Sequence, residues 1–160
     1  MLSSALQEFV NEWKLGHLAT VGPDGPNVSP KGTFQALDAN RLAFAEIRSP
    51  NTMANLAQDA RVEVNMVDVF SRKGARFRGK AVFNAMDAVE ARALRPRWVE
   101  LFGAELMARS SGFVVIEVTS AKPLTTPAYD VGATEEALRK DYLERFTAMQ
   151  MAWLSGTNGG

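Results

Sequence analysis

The chain has 160 residues, of which 46% are hydrophobic and 22% charged, and this composition fits one domain with its own core rather than a disordered or fibrous chain. Its 18 basic residues match its 18 acidic residues, and the absence of a basic excess argues against a nucleic-acid-binding module. The chain has no cysteine and one histidine, which excludes disulfides, cysteine nucleophiles, thiolate metal sites and a multi-histidine metal site.

The N-terminal half of the sequence predicts one helix and three strands. Apolar residues recur at helical spacing in the first segment, where Ser4 with Gln7 suggests a capping box and Gly16 marks the helix end. Dense turn chemistry at 22–26 separates the first two strands, which therefore form a hairpin. In chain order these elements are a helix near 2–13 and strands at 17–21, 27–34 and 41–47.

The C-terminal half predicts three helices and three strands. A loop at 48–50 opens a short helix, and a turn at 71–74 joins the next two strands. Asp87 with Glu90 caps a longer helix, which we expect to bend near Pro96. In chain order these elements are a helix at 51–58, strands at 62–67 and 75–84, a helix from 87 to about 107, a strand at 112–119 and a last helix from about 134.

The predicted elements indicate a small antiparallel β-barrel with flanking helices. Tight turns between successive strands favour antiparallel pairing, and closing six short strands into a barrel removes exposed sheet edges. We expect one domain in which residues 1–125 form the barrel and residues 126–155 form a C-terminal extension with a helix. Residues 156–160 are expected to form a flexible tail.

The junction between the third strand and the short helix is a candidate anion site. A helix start exposes free backbone N–H groups and the positive end of the helix dipole. Arg48 adds a permanent charge there, and Ser49, Asn51 and Thr52 add hydroxyl and amide donors. The alternative is an ordinary helix cap beside a solvated arginine.

The segment from Ser29 to Thr33 is a second candidate ligand-binding site. Pro30 and Gly32 within a predicted strand indicate an edge, a bulge or a place where a ligand meets the backbone. Lys31 is placed to balance a negative charge or to hydrogen-bond a ring carbonyl. The alternative is an irregular edge strand without a ligand.

A basic stripe lies on the fifth predicted strand. Arg76, Arg78 and Lys80 share one face because side chains alternate along a strand. This face is either a solvated outer surface or a source of one arginine for a ligand groove. His17, alone at a strand start, is interpreted as structural.

Six short motifs occur in a characteristic order along the chain. They are Leu18–Val21, Asp24-Gly25-Pro26 with Ser29–Thr33, Leu42-Ala43-Phe44 leading into Arg48–Thr52, Asn55-Leu56, Ala60-Arg61-Val62, and Arg76–Ala81. This order resembles the pyridoxamine 5′-phosphate oxidase-like, FMN-binding split-barrel family over roughly residues 5–120. The resemblance implies a mainly β (α+β) fold: a six-stranded antiparallel Greek-key split β-barrel with flanking helices. It also implies an obligate homodimer with FMN in the grooves between the subunits.

The resemblance also implies which residues bind the cofactor. The second strand lies along the isoalloxazine ring, and the corresponding residues here are Ser29, Lys31, Gly32 and Thr33. The third strand end and the following helix start hold the phosphate and ribityl chain, and the corresponding residues are Glu46, Arg48, Ser49, Asn51 and Thr52. Family members often carry an Arg-Lys pair at the phosphate, where this chain has Asn51-Thr52.

The resemblance predicts an FMN-binding protein that acts as a flavin-dependent oxidoreductase on a small molecule, and it identifies no catalytic side chain. An F420-dependent reductase is an alternative that the missing Arg-Lys pair favours, and a non-enzymatic flavin- or haem-binding module is another. We find neither the Lys-ended strand motif nor the C-terminal arginine segment of the vitamin oxidase itself, which argues against that activity. The homodimer is what the resemblance implies, and the balanced charge argues against a nucleic-acid partner. We expect a cytoplasmic protein without a membrane partner, because we see neither a signal peptide nor an apolar run of membrane-spanning length.

Overall fold

The computed structural model describes residues 1–156, which form seven β-strands in one sheet and five α-helices. The strands are β1 (Gly16–Gly22), β2 (Gly25–Lys31), β3 (Gln35–Ala36), β4 (Arg41–Glu46), β5 (Arg61–Val67), β6 (Gly74–Ala85) and β7 (Gly112–Leu124). The helices are α1 (Ser4–Trp13), α2 (Pro50–Leu56), α3 (Val89–Phe102), α4 (Ala104–Met107) and α5 (Glu135–Leu154). The strands are ordered β2-β1-β5-β6-β7-β4-β3, so the mainly β, α+β fold that the sequence predicts is confirmed.

The chain divides into two compact units. The larger unit comprises Met1–Met66 and Ala75–Lys122. The smaller unit comprises Val67–Gly74, at the tip of the β5–β6 hairpin, and the C-terminal segment that starts at Pro123. Apart from Gly156, the predicted flexible tail lies outside the described residues. None of the helices within 1–156 combines the length and the hydropathy that crossing a bilayer requires.

The core of the larger unit has two layers, because β4 and β7 are buried on both faces. Leu42 and Phe44 of β4 point into one apolar cluster, where the rings of Phe34 and Phe44 meet edge to face with centroids 5.1 Å apart. Ala43 and Ala45 point the other way, into a second cluster that includes Trp98 of α3. Alternate residues of one strand therefore serve both layers, as the period of two requires.

The boundaries of α1 differ from the predicted ones, which placed its cap at Ser4 and its end at Gly16. Ser3 is the N-cap, and its hydroxyl accepts a hydrogen bond from the backbone N–H three residues on, so Ser4 is already helical. The helix ends at Trp13, and its C-cap residue Lys14 adopts a left-handed conformation with φ 56°. Gly16 instead begins β1, where an added Cβ would lie 2.8 Å from the ring of Phe34. Gly16 is thus required by packing and does not end the helix.

The second predicted strand is shorter in the structure, and a seventh strand follows it. β2 ends at Lys31, and the chain then turns so that Phe34 donates its backbone N–H to Lys14 and buries its ring. Gln35 and Ala36 form β3, which pairs with β4. The two-residue strand carries no periodic signal of its own, so the sequence does not reveal it.

The long helix predicted from residue 87 to about 107 is two helices. It breaks at Gly103, whose φ of 87° lies in the region that favours glycine, and Pro96 lies within α3. Ala88, rather than Asp87, is the N-cap residue, and it makes no side-chain capping hydrogen bond. The prediction of Thr134 at the start of the last helix is confirmed, because its hydroxyl accepts the backbone N–H of Ala137 at 3.2 Å.

Candidate functional site

A cleft of about 490 Å³ lies where the ends of β2 and β4 meet. This volume is in the range of small-molecule sites. Its lining comprises Pro30, Lys31, Gly32, Thr33, Ala45, Glu46, Ile47, Arg48 and Arg109. Five of the nine predicted cofactor-binding residues therefore come together in one cleft, and they are Lys31, Gly32, Thr33, Glu46 and Arg48.

The segment after β2 is fixed across the sheet by hydrogen bonds to Thr33. β2 and β4 lie near opposite ends of the strand order, so only a curled sheet brings their ends together. The Thr33 hydroxyl accepts the backbone N–H of Ala45 of β4 at 3.0 Å. The indole N–H of Trp98 donates to the Thr33 carbonyl at 2.9 Å. These bonds hold one wall of the cleft against the other.

Lys31 and Glu46 form a buried charge pair in the cleft. Their side chains are 7% and 5% exposed, and Lys31 Nζ lies 4.0 Å from Glu46 Oε2. Burial lowers the pKa of Lys31, and the nearby Glu46 carboxylate opposes that shift. Lys31 also donates to the Ser29 hydroxyl at 2.9 Å, while the Glu46 carboxylate accepts the backbone N–H of Ser49 at 2.6 Å and the Ser49 hydroxyl. Ser29 and Ser49 therefore orient this pair rather than line the cleft.

The cleft is also lined by two arginines, Arg48 and Arg109. Neither has an ion-pair partner among residues 1–156. Both are exposed. Glu46 is the single carboxylate among the lining residues, against the three cations Lys31, Arg48 and Arg109. The cleft is therefore electropositive and suited to an anionic ligand.

Arg109 is the charged lining residue that the sequence did not reveal. It precedes β7 in the chain and reaches the cleft because β7 pairs with β4, with Gly112 opposite Glu46. No local pattern marks such a residue. Only the pairing register of β4 with β7 shows that Arg109 lies at the cleft, and this register becomes known only from the fold.

The predicted residues Asn51 and Thr52 do not line this cleft. Thr52 is 1% exposed, and its hydroxyl accepts the side-chain amide of Asn27 at 3.4 Å. Asn27 also donates to the Thr20 hydroxyl at 3.2 Å, so this network ties α2 to the β1–β2 hairpin. Asn51 is exposed and lines a separate pocket of about 310 Å³ beside the hairpin turn.

The basic stripe of β6 has the alternation that the sequence predicts. Arg76, Arg78 and Lys80 are exposed, whereas the intervening residues are buried. Glu63 of β5 pairs with Arg76 at 3.1 Å and with Arg78 at 2.5 Å. None of the three lines the Lys31 cleft, although Arg78 and Lys80 line a separate cavity of about 600 Å³. His17 is exposed at the second residue of β1.

The curled antiparallel sheet and its cation-lined cleft define a β-barrel protein with a candidate small-molecule site. A family model described as pyridoxamine 5′-phosphate oxidase matches residues 2–125. The chain therefore belongs to the pyridoxamine 5′-phosphate oxidase family, and the predicted resemblance is confirmed. No curated protein matches the chain.

Solved structures of several proteins share the fold. HupZ of Group A Streptococcus matches with a TM-score of 0.67 and 23% identity, over 79% of this chain and 96% of that one. An FMN-binding protein from Syntrophomonas wolfei matches with a TM-score of 0.57 and 12% identity, over 76% and 90% of the two chains. HutZ, the heme storage protein from Vibrio cholerae, matches with a TM-score of 0.57 and 22% identity, over 76% and 93%. These likenesses confirm the split-barrel fold, with one short strand more than predicted.

Proposed function

We propose that the chain binds FMN in the Lys31 cleft and uses it as an oxidoreductase acting on a small molecule. One observation carries the proposal: the fold joins the end of β2 to the end of β4 in one cleft. The family resemblance assigns the first of these segments to the flavin ring and the second to the phosphate. The comparison with the FMN-binding protein of the same fold supports this ligand class.

Gly32 provides an independent test of whether the cleft fits a ligand. An added Cβ at Gly32 would meet no atom within 4 Å beyond its two chain neighbours, and the φ of Gly32 lies outside the left-handed region. The other glycines with such open space all have positive φ, and they are Gly25, Gly103, Gly132 and Gly156. Neither packing nor backbone conformation therefore requires glycine at position 32. A flat ligand ring lying against the backbone would account for the glycine, and this supports the fit of the cleft to FMN.

The roles of the cleft residues follow from their positions. FMN, when bound, supplies hydride chemistry at its ring. Gly32 and Thr33 would lie beside the ring, and the Lys31 ammonium would favour the negative charge of the reduced flavin. Glu46, held by Ser49, keeps that ammonium oriented. We assign no catalytic acid or base to the chain.

A second copy of the chain completes the site in this proposal, as the family resemblance implies. Exposed apolar side chains on the β1–β2 hairpin support it, because Val21 is 54% and Val28 is 64% exposed. Val28 lies opposite Ala19, and Val21 lies opposite Pro26, so these four residues share one face of the hairpin. An apolar face of this kind is suited to burial against a partner.

The absorbance spectrum of the purified protein tests the cofactor. If FMN is bound, the purified protein is expected to show flavin absorbance bands in the blue. If the protein is purified without cofactor, titration with FMN is expected to produce these bands. An F420 band nearer the violet supports the deazaflavin alternative, to which the Asn51-Thr52 pair points, and contradicts the proposal. A sharp Soret band contradicts it in favour of haem. Haem commonly takes a histidine ligand, and His17, the single histidine, does not line the cleft.

Turnover separates an enzyme from a carrier. The FMN-loaded protein is mixed with NADH or NADPH, and the flavin absorbance is followed anaerobically. Bleaching of the flavin supports a reductase. A loaded protein that neither NADH nor NADPH reduces, and that oxidises no added small molecule, supports a binding module instead.

A further inference from the structure

We infer that Arg109 is a ligand-binding residue that forms, with Arg48, a two-guanidinium clamp selecting a phosphate monoester dianion. The inference rests on the proposed function, because it names the residue and the ligand charge that complete the same cleft. It assigns a role to a side chain that the family motifs quoted above do not include.

The pairing of β4 with β7 brings the two arginines to one end of the sheet. Gly112 lies opposite Glu46 in the register. Beyond that pair, the Glu46 carbonyl accepts the backbone N–H of Ser111 at 2.9 Å and the Ser110 hydroxyl at 3.1 Å. The segment before β7 is thus tied to the end of β4, from which Arg48 emerges two residues later. Both arginine side chains line the same cleft.

The charges in the cleft indicate the kind of ligand. Lys31 and Glu46 neutralise each other, and both Glu46 oxygens accept hydrogen bonds from Ser49. Arg48 and Arg109 then leave two positive charges that no carboxylate within residues 1–156 balances. A phosphate monoester carries close to two negative charges at neutral pH, which matches the two guanidinium charges.

The clamp takes its positive charge from residues other than the family's basic pair. Asn51-Thr52 occupies the sequence position of the Arg-Lys pair, but neither residue lines the cleft, and the Thr52 hydroxyl accepts a hydrogen bond from Asn27. The guanidinium groups at the cleft come instead from Arg48 and, on the β7 side, from Arg109. Arginine suits this role because its planar fork binds phosphate oxygens in pairs.

Titration of the apoprotein with FMN and with riboflavin tests the inference. Arg109→Gln is expected to weaken FMN binding at least about tenfold, because it removes a charge-assisted hydrogen bond, and to change riboflavin affinity less than about twofold. Arg95→Gln is the matched control, since Arg95 is exposed on α3 and does not line the cleft. Its affinity for both flavins is expected to equal that of the wild type.

The outcomes separate the inference from the proposed function. Unchanged FMN affinity in Arg109→Gln, or an equal loss for FMN and riboflavin, overturns the role of Arg109.

If the wild type binds neither flavin, the proposed function fails, and inorganic phosphate becomes the probe of the clamp. Phosphate is expected to raise the melting temperature of the wild type and of Arg95→Gln but not that of Arg109→Gln, and an equal rise in all three overturns the clamp. If Arg109→Gln does not fold, Arg109→Lys is the variant to test. It keeps the positive charge but loses the planar fork, and its FMN affinity is expected to lie below that of the wild type.

Discussion

Gly32→Val separates the requirements of the fold from those of the ligand. Position 32 is exposed, an added Cβ meets no protein atom within 4 Å, and the backbone is not left-handed. We therefore expect the free energy of unfolding to change by less than about 0.5 kcal/mol, as is usual for surface substitutions. The isopropyl group instead occupies the space in front of the backbone, in a cleft of about 490 Å³. It is expected to exclude the flavin ring.

The expected loss is at least about tenfold in affinity, or about 1.4 kcal/mol, because an added group forces the ring or the cleft wall to move. The loss is expected to be equal for FMN and riboflavin, since both carry the ring. Fluorescence titration of the apoprotein measures both affinities, and thermal unfolding checks the fold. Gly32→Ala is the graded control and is expected to show a smaller loss. A Gly32→Val variant that folds normally and binds both flavins like the wild type refutes the proposed ring position.

Three further predictions concern the charge pair, the smaller unit and the assembly. Lys31→Met is expected to lower the flavin midpoint potential in a redox titration, because the reduced anion loses its nearby positive charge; an unchanged potential contradicts that role. Burial raises the pKa of Asp68, but hydrogen bonds from Ser71 and Phe70 together with the charge of Arg139 lower it more, so the pKa lies below its ordinary value. The Asp68 carboxylate therefore stabilises the fold above about pH 4, and this contribution is lost as the pH falls through its folded pKa. Asp68→Asn is expected to remove about 1–3 kcal/mol at pH 7 and to flatten the acid limb of a denaturation series. Sedimentation at micromolar concentration is expected to show a dimer, whose interface buries more than roughly 2,000 Å², and a stable monomer contradicts it.

Contacts close in sequence were predictable, and contacts set by the fold were not. The alternation of Arg76 and Arg78 with buried neighbours follows from the period of a strand, and the Thr134 cap follows from residues within one helical turn. The break at Gly103 depends on a positive φ that the apolar pattern does not encode. The position of the first cap, Ser3 rather than Ser4, depends on backbone angles at a single residue.

The candidate cleft shows the same division. Lys31 and Arg48 were found because each lies in a motif with its own local signal, a strand containing proline and glycine and a strand-to-helix junction. Arg109 was missed because only the β4–β7 register brings it to the cleft. Thr52 was assigned to the phosphate from the resemblance, but its hydroxyl is engaged by Asn27, which lies 25 positions away in the chain. Side-chain direction at a helix start depends on such distant partners.

A crystal structure of the protein with FMN tests the central claim most directly. We expect electron density for the flavin ring against the backbone at Gly32, with the phosphate contacting Arg48 and Arg109. Density for FMN at any other place contradicts the claim. The cavity of about 600 Å³ beside Arg78 and Lys80 is the main alternative position.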